Sequence, residues 1–119
     1  MGKLLVHIAT GPENPTRALG LLVARTALDA GHSVDLFLAG DAVGLLRPAT
    51  LDSGQGIGTG NLREHVDALV AGGVSFHLSG MSSKARGLTP EDLGGLPVVM
   101  APPTRLIELA FEADRVLTY

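Results

Sequence analysis

Val74-Ser-Phe-His-Leu-Ser79-Gly-Met-Ser-Ser-Lys84-Ala-Arg86-Gly87 is the stretch that decides the fold. Its first part, Val74–Leu78, is a short apolar run that stops at Ser79, where a polar loop carrying Lys84 and Arg86 begins. Runs of this kind suit strands buried on both faces of a parallel sheet. Two similar runs precede it, Lys3–Thr10 and Ser33–Leu38, and two follow, Val98–Ala101 and Arg115–Tyr119. The first gives way to a turn-rich loop, Gly11-Pro-Glu-Asn-Pro15.

Helical signals stand between these runs. Asn14 followed by Pro15 reads as an N-cap and a first helical position, with Leu19, Leu22, Val23, Thr26 and Ala27 at helical spacing and Gly31 as the stop. Ala39-Gly-Asp41 reads as a tight turn, and Ala42–Arg47 as a short helix ended by Pro48. Asn61–Glu64 is a capping-box-like start of a helix that runs to about Ala71, with Leu62, Val66, Leu69 and Val70 on one face. Thr89-Pro90-Glu91-Asp92 starts a short helix that Gly94-Gly95 ends. Pro102-Pro103-Thr104 opens a helix from about Arg105 to Ala113, with Leu106, Ile107, Leu109, Ala110 and Phe111 as its apolar set. Alternating strands and helices predict one α/β domain over residues 1–119, a five-stranded parallel sheet of flavodoxin-like type with helices on both faces. Periodicity leaves the strand order open.

Composition narrows the function. Hydrophobic residues make up 45% of the chain and charged residues 18%, an apolar balance that favours burial of surface against other copies. Aromatics are 3%, with no Trp, too few for a base-stacking nucleic-acid platform. A net charge of −3 leaves no basic footprint for DNA or RNA. No apolar stretch approaches the ~20 residues that span a bilayer. Met1-Gly-Lys3 runs straight into a strand-like segment, so the expected location is the cytoplasm. The chain has no Cys, which removes disulfides, thiolate metal ligands and thiol redox chemistry together.

In an open parallel sheet, ligands gather outside the carboxyl ends of the strands. The loops that matter are then Gly11–Asn14, Gly40–Asp41, Ser79–Gly87 and Pro102–Thr104. They offer hydroxyl, amide and cationic donors suited to a small anion or a partner. The candidate ligand-binding residues are Asn14, Ser79, Ser82, Ser83, Lys84, Arg86 and Thr104. The plainer alternative is that Ser79–Arg86 is only a polar surface loop. The glycines at 54, 56, 58 and 60 form neither a P-loop nor a G-x-G-x-x-G motif, so Gly54–Gly60 reads as a flexible flap or an interface loop.

His7 and His77 fall inside strands and read as satisfied sheet histidines, while His32 and His65 read as loop and helix-surface residues. No metal site and no cofactor are expected. A Ser79 nucleophile would need a nearby base. His77 lies nearly 7 Å away along the strand, and there is no G-x-S-x-G elbow. An enzyme built on Ser79, Lys84 and His77 ranks last among the readings.

The whole pattern resembles the DsrE/DsrF-like family of small sulfur-relay proteins. The resemblance rests on the opening strand and its loop, Ala27-Leu-Asp-Ala-Gly31-His32, Leu36-Phe37-Leu38, Gly40-Asp41-Ala42-Val43, Gly73-Val74, Arg86-Gly87 and Ala113-Asp114-Arg115-Val116-Leu117. It implies a five-stranded parallel sheet and a homo-oligomer, a trimer or hexamer. In the family, a cysteine at the end of a strand, seven residues before an Arg-Gly pair, carries a persulfide and passes sulfur on. Here that position is Ser79, whose hydroxyl forms no persulfide. The implied role is therefore a non-thiol binding or assembly subunit. Its alternative is an auxiliary subunit of a sulfur-relay complex whose cysteine lies on a partner protein.

Overall fold

The computed structural model describes residues 1–53 and 55–119. Strands β1 (Lys3–Ile8), β2 (Ser33–Leu38), β5 (Phe76–Ser79), β6 (Val98–Ala101) and β7 (Arg115–Thr118) form one parallel sheet in the order β6-β5-β2-β1-β7. Two-residue strands β3 (Gln55–Gly56) and β4 (Gly60–Asn61) make a separate antiparallel ribbon. The helices are α1 (Leu19–Asp29), α2 (Pro48–Ser53), α3 (Leu62–Ala71), α4 (Gly80–Ala85) and α5 (Pro103–Glu112), with 3-10 turns at Gly40–Leu46 and Pro90–Leu93.

The expected five-stranded α/β sheet is present, and its helices are shared unequally between its faces. The chain steps in one direction from β1 through β2 and β5 to β6, then returns across the whole sheet to β7. Right-handed crossovers place the helices of these two movements on opposite faces. Leu21 and Ala24 of α1, Leu51 of α2, and Leu62, Val66 and Leu69 of α3 bury against Val6, Ile8, Leu36, Leu38, Phe76 and Leu78. On the other face α5 is the one helix among the described residues, with Leu109 against Leu5, Phe37 and Ala101. A ten-residue helix is about 15 Å long, while five strands span roughly 19 Å across. So α5 leaves part of its face open, and Val99, Ile107, Phe111 and Val116 are exposed there.

Several boundaries differ from the sequence reading. Asn14 does not cap α1. Its Oδ1 accepts hydrogen bonds from the Thr16 N–H (2.9 Å) and hydroxyl (2.8 Å), and turns fill residues 14–18 before the helix starts at Leu19. The stripe that α1 buries is Gly20, Leu21 and Ala24, one step round from the expected Leu22, Val23 and Thr26. Gly20 sets that rotation, because a Cβ there would stand 2.7 Å from Ile8 Cγ1. Pro48 begins a helix where it was expected to end one, in the first-turn position its missing N–H allows. Leu51 of that helix thereby enters the core. Two helix starts stand as read: Asn61 Oδ1 accepts the Glu64 N–H, and Thr89 and Asp92 complete a capping box.

Candidate functional site

The segment Gly80–Ala85, read from sequence as loop, is helix α4. Ser79 ends β5 and caps α4, its Oγ accepting the Ser82 N–H at 3.1 Å. Ser82 Oγ in turn accepts the Gly40 N–H at 2.9 Å, which ties α4 to the turn after β2. Arg86, just past α4, donates from Nε and Nη2 to Asp41 Oδ1 (3.2 and 2.8 Å) and from Nη1 to the Ser82 carbonyl (3.0 Å). Both partners of this ion pair are solvated, so it contributes at most about 1 kcal/mol. Its larger effect is to hold the Arg86 guanidinium at the strand ends.

There it borders a cleft of ≈630 Å³ lined by residues 11–15, Asp41, Gly44 and Arg86. The floor is tight: a Cβ on Gly11 would lie 2.5 Å from the Asp41 Cβ. Glu13 and Asp41 set two carboxylates against the one guanidinium, so the cleft is not a strongly cationic anion trap. The glycine-rich ribbon reaches this region, with the Ile57 N–H donating to the Pro15 carbonyl at 3.0 Å. Gly54 of that loop lies outside the described residues.

The candidate residues therefore separate. Asn14 and Arg86 line the strand-end cleft. Ser83 and Lys84 line a second cleft of ≈380 Å³ against Leu88 and Met100. Ser79 and Ser82 tie α4 in place, and Thr104 is an exposed residue of the first turn of α5 that lines neither cleft. No hydrogen bond joins Ser79, Lys84 and His77 among the described residues. Glu13 and Asp41 were not among the candidates from sequence. The available signal was Asp41 standing one residue beyond Gly40 in a strand-end loop.

The histidines also depart from their sequence reading. His7 and His77 share one row of the sheet with Phe37 between them, in the registers His7↔Phe37 and Phe37↔His77. They do not meet, and neither is fully satisfied. Among the described residues His7 Nε2 and His77 Nδ1 are buried without hydrogen-bond partners, and the neighbouring Asp35 Oδ2 has only the Lys3 ammonium, at 3.7 Å. Burial holds both imidazoles below the usual histidine range; Arg105 lowers His77 further and Asp35 partly opposes this. His65 is no surface residue, since only 5% of it is exposed. Its Nε2 donates to the Thr59 carbonyl at 2.7 Å, leaving Nδ1 to accept from Arg25 at 3.4 Å. Among the described residues no three His, Asp or Glu side chains gather to hold a metal, and no helix is long and apolar enough to cross a membrane.

Comparison with known proteins agrees with this architecture. The family model described as DsrE/DsrF-like matches residues 2–119. Among solved structures, the chain is similar to the ychN protein of E. coli, with a TM-score of 0.80 and 24% identity over 100% of both chains. It is also similar to MTH1491 of Methanobacterium thermoautotrophicum, a protein of unknown function, at TM-score 0.73 and 20% identity over 100% of both chains. A third, BT1422 of Bacteroides thetaiotaomicron, also of unknown function, gives 0.63 and 16% over 99% of this chain and 95% of that one. At these identities the structures show the fold alone. No curated protein matches the chain.

Proposed function

The chain belongs to the DsrE/DsrF-like family, and from that premise we propose that it acts as a thiol-free, self-assembling binding subunit. Copies dock through the sheet face that carries α5, and the strand-end cleft holds a small ligand between Asn14 and Arg86. The observation that carries the assembly is the unfinished state of that face. Phe111 is 88% exposed and Ile107 56%, on a helix whose other apolar residues pack inward. On the same sheet face lie buried nitrogens of His7 and His77 that have no hydrogen-bond partner among the described residues. Buried polar atoms are nearly always hydrogen-bonded, and a facing copy would supply both apolar cover and donors. Burying one Phe side chain contributes about 1.5–3 kcal/mol, so a few such residues per copy favour a stable interface.

The loss of the family thiol at Ser79 supports a binding role over sulfur carriage. The Ser79 hydroxyl is used as a helix cap, a structural duty for which serine is well suited.

Native mass spectrometry of the gently purified protein tests the proposal. A homotrimer or homohexamer that falls to monomer on Phe111→Glu is the expected result. A bare monomer for the unaltered chain overturns the assembly. A mixed assembly with a cysteine-bearing relative would instead make the chain the auxiliary half of a sulfur-relay pair. Loss of a co-purifying small molecule on Arg86→Ala, with the oligomer intact, would identify the cleft as its site.

A further inference from the structure

Ser83 sits on α4 with 2% exposure, and its Oγ has no hydrogen-bond partner among the described residues. A buried hydroxyl left unpaired is costly and calls for an explanation. Ser83 is one of the residues lining the ≈380 Å³ cleft between α4, the 3-10 turn at Pro90–Leu93 and β6. Leu88, Pro90 and Met100 give the cleft apolar walls, and Lys84 borders it. Lys84 makes no ion pair among the described residues, whereas Lys3, Arg25, Arg63, Arg86 and Arg105 all do. The cleft thus combines one free cation, one unmet hydroxyl and an apolar wall. That is the donor set for a monoanion with a short apolar body.

We propose that this cleft is a second ligand site, separate from the strand-end cleft and independent of assembly, and that it takes a small monocarboxylate with an aliphatic chain. The carboxylate accepts from Lys84 Nζ and, once a χ1 rotation turns it into the cleft, from Ser83 Oγ, two charge-assisted bonds that satisfy the orphaned hydroxyl. The chain lies along Leu88, Pro90 and Met100. At about 30 Å³ per water the volume equals roughly a dozen waters, which leaves room for an acid of about six carbons with water beside it. The lining contains no aromatic residue on which a base could stack. Inorganic phosphate is a poorer match, because it meets a single cation and leaves the apolar wall wet.

Titration calorimetry with hexanoate, hexanol and inorganic phosphate, paired with chemical-shift mapping, tests this on the intact protein. Hexanoate is expected to bind at least 10-fold more tightly than hexanol, with shifts centred on Leu88 and Met100. Lys84→Met, which keeps the apolar stem of an exposed side chain, is expected to bring hexanoate down to the level of hexanol. Ser83→Ala is expected to weaken hexanoate several-fold, and Lys84→Met keeps the test decisive if that buried change impairs folding. Hexanol binding as well as hexanoate overturns the proposal. So does an unchanged Lys84→Met titration, phosphate binding that excludes hexanoate, or shifts confined to Gly11–Asn14.

Discussion

At the scale of single residues, His7 and His77 make the stability of this protein depend on pH. Their folded values lie below the ordinary histidine value because the rings are buried. As pH falls through about 6.5 the unfolded chain gains protons on these rings, while the folded rings stay neutral. The unfolded state then binds more protons, so stability rises with pH across this window. It is complete above the ordinary histidine range and declines below it until the folded rings titrate. Urea unfolding at pH 7.5 and 5.5 should show a lower midpoint at the acid end. The double variant His7→Gln, His77→Gln should flatten that difference, and an equal difference would remove these rings as the cause. Gly60 is a second residue with a large expected effect. Its φ is +86°, and an added Cβ would stand 2.9 Å from His65 Nε2. Gly60→Ala should cost about 1–3 kcal/mol, measured by the same unfolding, through strain and loss of the His65–Thr59 bond together.

Among the elements, the best-read ones are those whose local chemistry is self-sufficient. The Asn61 cap and the Thr89–Asp92 box are legible because each is closed by a side chain and a backbone N–H three residues apart. Asn61→Ala should accordingly cost about 1 kcal/mol, visible as a small fall in the urea midpoint with the fold intact. Strands β1, β2 and β5 are legible as apolar runs because α1, α2 and α3 cover one face of them, whereas β7 is exposed at every residue. What failed depends on tertiary partners. The α1 stripe is set by Gly20 meeting Ile8, a contact invisible in the Leu-rich run Leu19–Val23. The helix at Gly80–Ala85 reads as loop from sequence because six residues with three Gly or Ser carry little helical pattern, and its cap, Ser79, reads as a ligand group. The site was partly legible for the same reason: strand-end logic found Asn14 and Arg86, but only the fold shows Asp41 holding Arg86 and Ser83 turned to a different cleft.

For the whole molecule, the sheet joins distant parts of the chain. The amide of Lys3 donates to Asp114 Oδ2 at 2.8 Å, and Asp114 N–H donates to the Lys3 carbonyl at the same distance. Register Leu4↔Arg115 through His7↔Thr118 continues that clasp along β1. A chain ending after Asp114 should therefore lose the native sheet, seen as aggregation and loss of cooperative melting by circular dichroism, rather than as a modest drop in stability. A soluble, cooperatively melting truncation would show that β1 tolerates a free side. The same pairing has a consequence during synthesis. On the ribosome, β1 and β2 emerge well before β7, and the nascent chain must hold one side of β1 unzipped while the residues between β2 and Arg115 are made. Through that interval the apolar Leu4, Val6 and Ile8 lie next to an open row of backbone donors and acceptors. The period of greatest exposure to misassociation is thus fixed by strand order, and it ends only when β7 arrives.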